Sequence, residues 1–138
     1  MPHAERQHPL IARYTIIHDP QERMAAVMER GKKWPDVSAG ERTEANRIRG
    51  CASQVWLAGS FENGRCHFRV TADSALVKGL AALIAEFFDG RTPAEITACD
   101  IEPLEALGLT RQLSPTRLNG LANVRRTIRE FAARHLPT

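Results

Sequence analysis

From Ser53 to Phe61 apolar residues recur with period two, which places Val55, Leu57 and Phe61 on one face, and the alternation resumes at Cys66, Phe68 and Val70. Between the two runs stands Asn63-Gly64, a pair that accepts positive φ at both turn positions, so the pattern predicts an antiparallel hairpin with one apolar face. After the hairpin the period lengthens. From Asp73 to Asp89, Leu76, Val77, Leu80, Leu83, Ile84 and Phe87 recur at helical spacing between an Asp73 cap and Gly90, and this helix is the expected cover for the sheet. Two strands alone are marginal in water, and a third is expected around Glu44 to Ile48.

Helical patterns flank this centre. Leu10 to Ile17 reads as a short helix, and Pro20 to Arg30 as a longer one, with Asp19 as N-cap, Met24, Val27 and Met28 as its stripe and Gly31 as its stop. Trp34 to Gly40 reads as a loop, while Glu41 to Gly50 carries charges without a period. Downstream, Thr92-Pro93-Ala94-Glu95 spells a capping box. Pro103 to Leu107 is a short helix closed by Gly108, and Ser114-Pro115 opens a long helix to about Arg134. In that last helix Leu118, Leu121, Ile128 and Phe131 form the buried stripe, and Arg125, Arg126, Arg129 and Arg134 the solvated face. The sum is an α+β fold, a small three-stranded antiparallel sheet with helices packed on one face.

Composition narrows the function classes. With 138 residues, 43% hydrophobic and 25% charged, the chain suits a single domain over 1–138 and neither a disordered chain nor a membrane protein. Its longest uncharged apolar stretch, Gly79 to Ala85, is far short of the roughly 20 residues a membrane helix needs. Met1 to His8 lacks the apolar core of a secretory signal, so a cytoplasmic location is expected. Nineteen Lys plus Arg against sixteen Asp plus Glu leave a net charge of +3, a mild excess without a nucleic-acid motif or a glycine-rich phosphate loop behind it.

The three cysteines, Cys51, Cys66 and Cys99, are widely spaced, odd in number and without a Cys-x-x-Cys pair. This spacing argues against a disulfide framework and an all-cysteine zinc site. Cys51 follows Arg47, Arg49 and Gly50 just before the first strand, where guanidinium groups favour the reactive thiolate and glycine permits a sharp turn and close approach. A small buried residue at a strand start is the competing reading for it. Cys66 shares a strand face with Phe68 and Val70 and reads as an inert core thiol, whereas Cys99, at the end of a short helix, has no positive field near it. His67 points to the other strand face from Cys66. A Cys-His hydrolase would have to draw its base from His3, His8, His18, His67 or His135, of which only His67 stands away from the chain ends.

The segment Thr43-Glu44-Ala45-Asn46-Arg47-Ile48-Arg49-Gly50-Cys51-Ala52-Ser53-Gln54-Val55-Trp56-Leu57 resembles the signature of the SufE family, the sulfur acceptors of Fe-S metabolism, with Gly-Cys-x-Ser-Gln-Val-Trp as its specific core. Asp73 to Leu80 resembles the same family's next segment, and Leu113-Ser114-Pro115-Thr116-Arg117-Leu118-Asn119-Gly120-Leu121 its last motif, in matching order. The likeness runs from about Asp19 to Phe131, and residues 1–18 are too generic to align. It implies a fold like that of the IscU-type scaffolds. It also implies a role: binding a PLP-dependent cysteine desulfurase, taking persulfide sulfur onto Cys51, stimulating the desulfurase and passing the sulfur to an iron-sulfur scaffold complex.

On this reading Cys51 is the nucleophile, Arg47 and Arg49 assist its thiolate, Ser53 and Gln54 hold the loop, and Asp73 and Arg117 are structural or docking residues by motif match. The chemistry is thiol-disulfide exchange. It calls for no cofactor beyond a covalent persulfide, no metal, no nucleic acid and no membrane, and it leaves a homodimer open. A carrier gains if the loop Arg47 to Ser53 holds the thiol inward until the partner docks, with Ala52, Val55 and Trp56 as its cover. The alternative is an iron-sulfur or zinc-binding scaffold of the same fold, which would require the cysteines to gather.

Overall fold

The computed structural model describes residues 8–51 and 53–137; Ala52 and His3, named above, lie outside them. The chain runs α1 (Pro9–Thr15), α2 (Pro20–Gly31), two short 3-10 turns at Ala39–Glu41 and Glu44–Asn46, β1 (Val55–Glu62), β2 (Arg65–Ala72) and α3 (Ala75–Phe88). It continues through α4 (Pro93–Ala98), α5 (Pro103–Ala106), a 3-10 turn at Thr110–Gln112 and α6 (Pro115–Arg134). Three of the four helix caps read from the sequence act as expected. Asp19 accepts the Gln21 N–H at 2.9 Å, Thr92 and Glu95 close a reciprocal capping box, and Ser114 accepts the Arg117 N–H at 3.2 Å. The cap of α3 is Ser74, because Asp73 is engaged elsewhere.

The sheet has two strands, β1 and β2, paired antiparallel from Val55–Ala72 to Glu62–Arg65 across Asn63-Gly64. Asn63 and Gly64 adopt φ of 53° and 77°, as a two-residue turn matched to strand twist requires. Among the described residues the expected third strand is absent. Around Glu44 to Ile48 the chain makes one bridge, Arg47 against Trp56, with Ile48 N–H donating to the Val55 carbonyl at 2.8 Å. The 3-10 turn at Glu44–Asn46, held by Asn46 Nδ2 on the Glu41 carbonyl at 2.8 Å, precedes it. Gly50, at φ 81°, then swings the chain away, so pairing has no length over which to grow. Loops serve the outer edge of β2 instead: Cys66 N–H reaches the Arg91 carbonyl, Phe68 N–H an Asp89 oxygen, and Val70 N–H the Pro35 carbonyl.

Helices cover one face of the hairpin, as the alternation predicts. Val55, Leu57, Cys66, Phe68 and Val70 are all buried there, beneath α3 and α6, and α2 packs on α3. The α2–α3 approach is close, since a Cβ on Gly79 would come within 2.8 Å of the Met28 Cα. Lys78 of α3 is buried, and its ammonium donates to the Trp34 carbonyl at 3.1 Å and to Asp36 at 2.8 Å. It pins the loop after α2 alongside β2. None of the helices among the described residues is long and apolar enough to cross a membrane.

Candidate functional site

The long helix α6 meets the loop before β1 at two positions. Gly50 takes φ 81°, a backbone region that favours glycine, and a Cβ there would lie 2.7 Å from both Asn119 Nδ2 and Asn123 Nδ2. Asn123 Nδ2 donates to the Arg49 carbonyl at 2.7 Å, and its Oδ1 accepts from Arg126. The loop is therefore clamped to α6 just before the thiol arrives. Cys51 then seats its side chain over Gly120: a methyl there would overlap Sγ and come 3.2 Å from the Cys51 Cβ.

Beside the thiol is a depression of about 10 Å³, lined by Cys51, Ser53, Val77, Arg117 and Leu121. That is the room of about one water-sized atom. Cys51 is half-buried, and loss of solvation pushes its thiol pKa up. This corrects the expectation that Arg47 and Arg49 lower it. Both guanidiniums are drawn to Glu44, at 3.4 and 3.7 Å, with Arg49 largely in solvent, and burial is what shifts the thiol.

Downstream of Cys51 the loop is tied by backbone. Gln54 N–H donates to Asp73 Oδ1 at 3.1 Å, and Asp73 N–H returns to the Gln54 carbonyl at 3.1 Å. Asp73, expected to cap α3, instead locks the start of β1 to the end of β2. Of the residues singled out in the sequence, Cys51, Ser53 and Arg117 meet at the depression, Gln54 and Asp73 form the tie, and Gly50 makes the turn, while Arg47 and Arg49 face outward.

Sequence reasoning missed Gly120 and Asn123 as the floor and clamp, and Val77 and Leu121 as walls of the depression. Asn119-Gly120-Leu121 was in view as a motif, but only the packing shows what each residue touches. The proposed cover also differs. Val55 is buried in the core, and shielding comes from α3 and α6.

The other thiols are remote from solvent. Cys66 is fully buried, and Cys99 is 4% exposed, with Sγ 3.9 Å from the Ile101 carbonyl. Among the described residues no three His, Cys, Asp or Glu side chains gather where they could hold a metal ion. His67 faces Asp89 at 3.3 Å.

The profile of the SufE family, described as an Fe-S metabolism associated domain, matches residues 8–132. The chain belongs to the SufE family. An uncharacterized SufE-like protein of Rhizobium etli is 36% identical over 128 residues, covering 89% of this chain and 86% of the relative. Uncharacterized SufE-like proteins of Synechocystis sp. and Rhizobium meliloti are each 34% identical, covering 83% and 93% of this chain and 72% and 95% of their own lengths. A hypothetical protein from Thermus thermophilus, solved in solution, superposes with a TM-score of 0.77 at 19% identity over 97% of both chains. At that identity it is the fold alone that is shared.

Proposed function

We propose that this SufE-family protein accepts sulfur from a PLP-dependent cysteine desulfurase on Cys51, stimulates that enzyme, and hands the sulfur to an iron-sulfur scaffold complex. The observation that carries the reading is the seat of Cys51: a half-buried thiol on a clamped loop, next to room for one further atom and bordered by Arg117. The family's association with Fe-S metabolism supports it. Cys66 and Cys99 sit inside the core, where no partner's sulfur can reach them without unfolding.

In this mechanism the Cys51 thiol loses its proton in the docked complex, and its thiolate attacks the terminal sulfur of the desulfurase persulfide. The partner's S–S bond breaks as the new one forms. The partner cysteine leaves as a thiolate, takes up a proton, and Cys51 carries the persulfide. One disulfide-type bond replaces another, so no external oxidant or reductant is needed. The high pKa of the seated thiol keeps it quiet in the free protein. Docking that turns the loop outward would relieve the burial and free the nucleophile, a population shift driven by differential binding.

Sulfide release from cysteine by a desulfurase, measured with each variant, tests the proposal. Cys51→Ser is expected to abolish the stimulation, whereas Cys66→Ala and Cys99→Ala keep most of it provided circular dichroism shows them folded. Full stimulation by Cys51→Ser overturns the reading.

A further inference from the structure

On the far side of Leu121 from Cys51 lies a much larger cavity, of about 700 Å³. Small-molecule sites typically measure about 300–1,000 Å³. One wall is α6 from Leu118 to Ala133, and the other is built by Thr97, Glu102, Leu104 and Thr110. Leu104, Leu118 and Leu121 give it an apolar floor, over which α6 sends Arg125, Arg126 and Arg129. The sequence pattern assigned these arginines to a solvated face. Arg125 and Arg129 are in fact half-buried.

The three cations are not equally engaged. Arg129 donates to the Thr97 carbonyl at 3.0 Å and the Cys99 carbonyl at 3.4 Å, and Arg126 donates to Asn123. The Arg125 side chain makes no hydrogen bond among the described residues, and its Nε is buried without a partner. Burying a donor without an acceptor is costly. Among the described residues none of the three is in an ion pair within 4.0 Å.

Carboxylates also border the cavity, and Glu102 is near enough to Arg125 for their charges to interact, but among the described residues none makes a hydrogen bond or an ion pair with it. Both oxygens of Glu102 accept backbone N–H groups, from Leu104 at 2.9 Å and Glu105 at 2.8 Å. Burial also pushes the Glu102 carboxyl up, which disfavours its charged form. Glu105 and Glu130 are exposed to solvent at the rim. The cavity thus joins an apolar floor to a guanidinium that has no side-chain hydrogen-bond partner among the described residues, and guanidinium groups recognise carboxylates and phosphates through paired, charge-assisted hydrogen bonds.

We propose that this cavity binds a small organic anion with an apolar body, its carboxylate or phosphate head on Arg125 and its body along Leu104, Leu118 and Leu121. The site is separate from Cys51 and does not depend on the sulfur-transfer proposal. Decanoate, decyl phosphate and neutral decanol, titrated into the full chain below their aggregation concentrations and followed by amide NMR shifts, test it. At least one of the two anions should saturate a single site, with shifts centred on Thr97, Leu104, Thr110, Leu118 and Ala133. The tighter of the two identifies the head group.

Decanol should bind about tenfold or more weakly, and Arg125→Gln should cost the anion a similar factor while leaving decanol unchanged. Ala122→Trp, placed at an exposed position on the cavity wall, should block all three probes in a protein whose remaining amide shifts are native. Failure of both anions to saturate, shifts scattered over the surface, equal affinity for decanol, or an Arg125→Gln variant with undiminished anion affinity would each overturn the proposal.

Discussion

A methyl group at position 120 would occupy the space that the Cys51 sulfur fills. Gly120→Ala should gain helix propensity, since glycine inside a helix is worse than alanine by about 0.5–1 kcal/mol, yet it should unseat the thiol. The expected result is faster iodoacetamide labelling of Cys51 in the free protein, by several-fold, with an unchanged far-UV spectrum. An unaltered labelling rate would show that Gly120 does not set the seat.

The seat also fixes a pH dependence. Burial raises the Cys51 pKa, so the folded protein holds that proton more tightly than the unfolded chain does. The labelling rate should therefore rise with a midpoint above the unperturbed thiol value of about 8.5. By linkage, stability should fall as pH climbs from the unfolded thiol's range through the folded one. A labelling midpoint at or below the free-thiol value would contradict the burial account.

Between elements, the decisive tie is the reciprocal pair linking Gln54 and Asp73, which joins the loop after Cys51 to the end of β2. Asp73→Ala removes one side-chain acceptor and keeps the backbone half. It should lower unfolding free energy by about 1 kcal/mol and speed hydrogen exchange at the Gln54 amide, while α3 stays capped by Ser74. Loss of α3 helicity instead would mean that Asp73 works as the helix cap after all. Ser114 offers the matching test for α6. Ser114→Ala should cost about 1 kcal/mol through the lost acceptor for the Arg117 N–H, read as a shifted urea midpoint.

For the molecule as a whole, the crossing of α2 and α3 sets the thickness of the helical layer. Glycine at 31 and 79 lets the two backbones touch, and a Cβ at 79 would meet the Met28 Cα at 2.8 Å. Gly79→Ala is thus expected to destabilise by about 1–3 kcal/mol through overpacking, despite its better helix propensity, with the urea midpoint as the measure. A stabilised variant would mean that the layers separate freely.

The chain's own pattern determined the elements that local physics controls. Period-two alternation broken by Asn63-Gly64 specified the hairpin and its buried face, because side chains in a strand alternate and positive φ suits those turn residues. Capping residues set the starts of most helices, since they satisfy N–H groups only a few residues away. Cys51 stood out for the same reason: its neighbours in sequence carry the motif. Tertiary structure decided what depends on distant partners. The third strand failed because Gly50 and the Glu44–Asn46 turn redirect the chain, and Asp73 left its helix to bond Gln54. Arg47 and Arg49 turned toward Glu44, and the thiol pKa rose through burial against a helix some seventy residues away in sequence. Hydrogen bonding and desolvation act over a few ångströms of space, and only the folded chain says which residues those few ångströms contain.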